Sequence, residues 1–195
     1  DDLGGGVRKV RMAIASKGKG KSGGARILTL NLMIDPESMK ITLLTVGKTD
    51  VRWGGEGLEL YVARLSHYVR FALKEIKEKK NVSAFTKEQI KEKEGELILS
   101  SLTAGDFVIL LDERGRKYRS VEFADFIRER LNRGADMVFV VGGAYGFPQK
   151  VYSRADSMMS LSDMTFSHQM VRTIFAEQLY RAFTIIRGEP YHHEG

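Results

Sequence analysis

Met137-Val-Phe-Val-Val-Gly-Gly-Ala-Tyr-Gly146 is the stretch whose reading decides the fold. A β-branched and aromatic run without a polar interruption predicts a strand buried on both faces, as in a parallel sheet. Gly142, Gly143 and Gly146 follow at its carboxyl end, where glycine lets the backbone turn sharply and come close to a ligand. Open α/β sheets bind ligands beyond the carboxyl ends of their strands. The stretch reads as a ligand-binding turn or as a plain strand-to-turn corner, since a short glycine pattern fits both.

Working outward, Ile41-Thr-Leu-Leu-Thr-Val-Gly47 and Phe107-Val-Ile-Leu-Leu-Asp112 have the same character and also end in Gly or Asp. Residues 71–76 and 158–162 are shorter strand candidates. Helical patterns alternate with them. Residues 54–69 carry Leu58, Tyr61, Val62, Leu65 and Tyr68 at i, i+3, i+4 spacing. Residues 86–102 form a charged helix with Thr86 as cap and Ile90, Leu97, Ile98 and Leu102 as a sparse apolar face. Residues 120–134 follow with Phe123, Phe126, Ile127 and Leu131, and Pro148 suits the first turn of a short helix through Ala155. Residues 77–84, the basic 113–119 and 163–166 read as connections. Residues 167–186 form the longest helix, apolar on several sides, which predicts burial within the domain and against a partner. Strand and helix in alternation predict an α/β domain with a mostly parallel sheet and flanking helices.

Residues 1–38 differ from the rest. Gly4-Gly-Gly6 opens them, and Lys17-Gly-Lys-Gly-Lys-Ser-Gly-Gly24 separates two short strand candidates, 7–15 and 25–34. Gly-Lys-Gly-Lys-Ser lacks the upstream glycine of a P-loop. The chain is therefore divided into an N-terminal extension, 1–38, and a main domain, 39–195. The extension is expected to be a fused remnant or an engineered addition ahead of a natural start at Met39. In the whole chain of 195 residues, 43% are hydrophobic, enough for a core, and the net charge is +6, compatible with a polyanionic partner such as RNA. No apolar run reaches membrane-spanning length and no secretory signal is evident. The absence of cysteine excludes disulfides and thiolate chemistry and fits a cytoplasmic protein.

Neither a Gly-x-Ser-x-Gly elbow nor a His-Glu-x-x-His pair is present. His192-His193-Glu194 are adjacent and diverge, so no metal site is expected. The strand-end loops 142–147 and 161–166, with Leu111 at a third strand end, offer backbone groups and apolar side chains. That lining suits a flat, weakly charged adenosine better than a triphosphate. His168, Arg172 and Arg181 are polar insertions in the long helix. An arginine there serves as a paired core or interface charge or, so close to the loops, as an anion ligand.

Ordered motifs run along residues 39–194: Lys40-Ile-Thr-Leu-Leu-Thr-Val-Gly-Lys48, Lys91-Glu-Lys-Glu-Gly-Glu96, Val140-Val-Gly-Gly143, Leu161-Ser-Asp-Met-Thr-Phe166, His168-Gln-Met-Val-Arg172, Glu177-Gln-Leu-Tyr-Arg-Ala-Phe183 and Arg187-Gly-Glu-Pro-Tyr-His192. Together they resemble the SPOUT class of bacterial ribosomal large-subunit methyltransferases that methylate N3 of a pseudouridine in 23S rRNA. The resemblance implies S-adenosylmethionine as cofactor, a C-terminal trefoil knot and a homodimer with the site at the subunit interface. It carries the cofactor contacts to Leu111, Gly142, Leu161, Ser162, Asp163, Met164, Thr165 and Phe166. Residues 1–38, which that class lacks, resemble part of the central hairpin of RelE-like messenger-RNA interferase toxins in Val7-Arg-Lys-Val-Arg11 and Gly20-Lys-Ser-Gly-Gly-Ala-Arg26. Without that toxin's helices and catalytic strands, no nuclease activity is expected.

N3 methylation requires alignment of the sulfonium methyl with the ring nitrogen and removal of the N3 proton. Candidate proton acceptors are His168, His192 and Glu177. Arg172 and Arg181 are candidates for stabilising the imide oxygens, and Tyr191 for stacking on the target base. The small, dispersed basic excess predicts weak binding to isolated RNA, hence an assembled ribosomal particle as substrate. The alternative is a non-catalytic RNA-binding protein that retains the knotted fold.

Overall fold

The computed structural model describes residues 7–12, 25–30, 39–49, 52–77 and 85–191. The chain divides into two units, Asp1–Asp35 and Pro36–Gly195. In the first, β1 (Val7–Met12) and β2 (Ala25–Leu30) pair antiparallel, with Val7 opposite Leu30 and Met12 opposite Ala25. The lysine- and glycine-rich stretch between them lies outside the described residues.

The second unit alternates strand and helix: β3 (Lys40–Val46), α1 (Arg52–Leu65), β4 (Arg70–Ile76), α2 (Lys87–Ser100), β5 (Phe107–Lys117), α3 (Ser120–Asn132), β6 (Met137–Val141), α4 (Gln149–Arg154), β7 (Ser157–Ser160) and α5 (Met170–Arg187). Its sheet has the order β4-β3-β6-β5-β7, and every neighbouring pair is parallel. β6 is central and buried along its whole length, as its unbroken apolar run requires. Alternate residues feed two cores. Ile41, Leu43, Ile109, Phe139 and Val141 face the side covered by α1, α3 and α5, with Phe175, Leu179 and Phe183 of α5 packed among them. Leu44, Val46, Val108, Leu110 and Val140 face the other side, where Ile98 of α2 and Val151 of α4 close the layer. Helix α2 is locally specified: the Thr86 hydroxyl accepts from the Gln89 backbone N–H at 3.2 Å, and the Gln89 side chain accepts from the Thr86 N–H at 2.9 Å. Gly95 on α2 is required by packing, since a Cβ there would overlap Pro148.

Two sequence expectations change in the fold. Residues 113–119 are not a free loop: β5 continues through Lys117 and pairs with β7 a second time. Met159 stands opposite both Leu111 and Arg116, so residues 112–115 form an excursion between two ladder segments. Gly115 permits it, because a Cβ there would overlap the Met159 backbone. Helix α1 stops at Leu65, and α5 starts at Met170, where the Ser167 hydroxyl accepts the Met170 N–H at 3.2 Å. Helix α5 packs on α1 and α3 within the chain, with Val171, Ile174, Ile185 and Ile186 half-buried and Met170 39% exposed. None of the described helices is long and apolar enough to cross a membrane, and no group of metal-ligating side chains occurs among the described residues.

Candidate active site

Beyond the carboxyl ends of β5, β6 and β7 lies a cleft of about 780 Å³. Parallel strands place three loops side by side there: the excursion after Leu111, the glycine turn after Val141 and the segment after Ser160. Of the residues that the resemblance assigns to the cofactor, Leu111, Gly142, Leu161, Ser162, Met164, Thr165 and Phe166 line the cleft. Asp163 does not; it points to Lys117 on β5 and ties the loop to the strand extension. The Ser160 hydroxyl donates to the Ser162 carbonyl at 2.9 Å, and the Ser162 hydroxyl accepts from the Met164 N–H at 2.9 Å, which fixes the loop's backbone. Gly142 is buried, and a Cβ there would stand 3.1 Å from the Phe147 ring. The glycine thus keeps room for Phe147 beneath the turn. Apolar side chains of Leu111, Val141, Leu161 and Phe166 beside the glycine turn suit an aromatic, uncharged moiety.

The polar residues singled out in the long helix separate in space. His168 lines the cleft. Arg172, expected to face developing charge on the substrate, is instead wholly buried. Its guanidinium donates to the Val46 carbonyl at 2.5 Å, the Gly47 carbonyl at 3.1 Å and Thr49 Oγ1 at 3.0 Å. Beside it the Gln169 amide donates to the Lys48 carbonyl at 2.9 Å. Together they clamp the start of α5 to the end of β3 and so hold His168, one turn upstream, at the cleft. Arg181 and Tyr191 do not line the cleft. Arg181 donates to Glu177 at 2.6 Å, and the Tyr191 hydroxyl donates to the same carboxylate at 3.1 Å. The Tyr191 ring stands edge-on to Tyr180 at 4.8 Å. Burial pushes the Tyr191 hydroxyl above the ordinary tyrosine range, and the Tyr61 hydrogen bond and Glu177 charge add to it. His192 lies outside the described residues.

Sequence reading missed a polar group on the excursion. Asp112 Oδ1 accepts from Arg114 N at 2.9 Å and Nε at 3.1 Å, and Oδ2 accepts from the Tyr152 hydroxyl at 2.5 Å. Burial raises the Asp112 carboxyl, but the hydrogen bonds from Arg114 and Tyr152 outweigh it and hold the group below the usual carboxylate range. Tyr152 is pushed up to about 12, by burial first and then by Asp112. Arg114 lies over the Tyr152 ring at 4.5 Å. Asp112, Glu113, Arg114 and Tyr152 all line the cleft, with Lys91 from α2. Asp112 at a strand end was the available signal; Tyr152 gave none, because only folding brings α4 to β5.

A parallel sheet with a cleft built from three strand-end loops is the frame in which family relationship is informative. A family model described as "Predicted SPOUT methyltransferase" matches residues 39–192, and the chain belongs to that family. Among curated relatives, the ribosomal RNA large subunit methyltransferase H of Christiangramia forsetii is 51% identical over 156 residues, covering 80% of this chain and 99% of the relative. The proteins of the same name from Parabacteroides distasonis and Bacteroides fragilis are 49% and 51% identical, each covering 80% of this chain and 100% of the relative. Among solved structures, a probable methyltransferase from Bordetella pertussis Tohama I overlaps 78% of this chain and 99% of its own, with a TM-score of 0.49 at 11% identity. That likeness is too distant to bear on fold or activity.

Proposed function

We propose that this chain methylates N3 of a pseudouridine in large-subunit ribosomal RNA, on the assembled ribosomal particle and with S-adenosylmethionine as cofactor. The observation that carries the reading is the convergence of residues 111–114, 142–147 and 161–168 on one cleft, in a chain of this family. The fit to the cofactor rests on the lining itself: apolar side chains at Leu111, Val141, Leu161 and Phe166, the turn at Gly142 and Gly143, polar side chains such as Asp112, Glu113 and Arg114, and space for an adenosine with its amino-acid tail. S-adenosylmethionine supplies an electrophilic methyl group when bound. Leu111, Gly142 and residues 161–166 would hold it, with Asp163 acting on the loop through Lys117. His168 is positioned to accept the N3 proton, and Arg172 acts as a positioning residue through the β3 end. Arg181, Tyr191 and His192 belong to the RNA side of the reaction and reach it in a homodimer whose site lies at the subunit interface.

The chain is proposed to close a trefoil knot in its C-terminal region. The support is the family match over residues 39–192, with the loops after β6 and β7 lining one cleft. A ribosomal substrate places the protein in the cytoplasm. The test offers a labelled methyl donor with ribosomes or with free 23S rRNA carrying the same pseudouridine. Label is expected in the ribosomal particle and not in free RNA. Equal labelling of both removes the requirement for an assembled particle, and binding of RNA without transfer to either points to a non-catalytic protein.

A further inference from the structure

The excursion at residues 112–115 leaves one charge in the cleft unbalanced. Of the formally charged side chains lining the cleft, Lys91 pairs with Glu88 at 2.7 Å and Asp112 with Arg114 at 3.1 Å. Glu113 also lines the cleft and forms no ion pair among the described residues. The excursion that carries it is held on both sides: Asp112 is bound by Arg114 and Tyr152, and Gly115 lies against the Met159 backbone. Glu113 is therefore presented on a fixed wall and not on a free loop. A cleft wall with uncompensated negative charge favours a cation over a neutral ligand of the same shape.

We propose that Glu113 distinguishes the positively charged methyl donor from its product. This rests on the cofactor reading above. The amino and carboxylate groups of the amino-acid tail cancel in both molecules. The donor carries one further positive charge on sulfur. Transfer of the methyl group to the RNA nitrogen, with the N–H proton leaving to a base, converts the sulfonium into a neutral thioether. A carboxylate on the wall attracts the first and is indifferent to the second, so it favours loading of donor and release of product. For a partly exposed charge pair the preference is on the order of fivefold.

Titration calorimetry of the full chain with S-adenosylmethionine and, separately, S-adenosylhomocysteine tests this. Glu113→Gln is expected to weaken donor binding about fivefold and product binding less than twofold, and Glu113→Lys to widen that difference. Glu129→Gln, which removes an equal charge paired with Arg133 on α3, is expected to change neither. Added salt should narrow the wild-type preference. Equal losses for both ligands, or no loss for either, overturn the assignment of Glu113. Failure of the wild type to bind either ligand is a different result, and it overturns the cofactor reading itself.

Discussion

Two arginines at strand ends of one sheet do opposite things. Arg172 reaches the carboxyl end of β3 from α5, is wholly buried, and donates to backbone carbonyls and a hydroxyl. Arg114 follows the end of the first ladder segment of β5, has a side chain 62% exposed, and donates to the Asp112 carboxylate in the cleft wall. The first replaces water for carbonyls that water cannot reach; the second trims the surface of a site. Position in an apolar helix marks Arg172 as the conspicuous residue, yet its conspicuousness reflects structure. The inconspicuous basic stretch 113–119 contributes side chains to the cleft.

The largest expected effect breaks the buried member of this comparison. Arg172→Met removes the guanidinium donors from the Val46 and Gly47 carbonyls, and unfolding in urea should show a loss of about 3 kcal/mol. Arg172→Lys should lose less, because one ammonium reaches fewer acceptors than the planar fork. Next comes the excursion. Gly115→Ala forces a Cβ into the Met159 backbone, and a cost of about 1–3 kcal/mol is expected in the same measurement. Gly142→Val drives a branched side chain into Phe147, and calorimetry should show S-adenosylmethionine affinity reduced at least about tenfold with the fold retained.

Smaller effects sharpen the exposed member. Arg114→Gln should change stability by less than about 0.5 kcal/mol, as exposed ion pairs do. Its partners supply a pH signature. Tyr152 titrates at about 12, above its unfolded value near 10, so its contribution is complete below pH 10 and is lost as pH rises toward 12. Asp112 is held low, so its contribution is present above the ordinary carboxylate value and is lost as pH falls through the lowered one. The stability gap between wild type and Tyr152→Phe should close on the alkaline side, and that between wild type and Asp112→Asn on the acid side. Denaturation midpoints across pH read both.

Much of the frame was legible from residues 39–187 alone. β6 and the Phe107–Leu111 segment of β5 are apolar without interruption, and β3 is buried from Ile41 to Val46, because both faces of the sheet are covered there. The cap of α2 was legible because Thr86 and Gln89 satisfy each other within one turn. The glycine turn at 142–146 and the loop at 161–166 were found as strand-end loops, since a parallel sheet sends every strand end to the same side. The second ladder segment of β5 was not legible. Residues 113–119 are polar and largely exposed to solvent, and polar strand reads as loop.

Sequence by itself determined the alternation of elements, the mostly parallel character of the sheet and, through its ordered motifs, the family. These follow from local periodicity and from residues whose requirements are met by near neighbours. Tertiary structure decided the strand order, the double use of Met159 by β5, and the separation of His168 from Arg181 and Tyr191. It also decided that Arg172 is an anchor, because a guanidinium's role depends on which acceptors surround it. Here those acceptors, Val46 and Gly47, lie more than a hundred residues away along the chain and meet Arg172 when α5 packs beside β3.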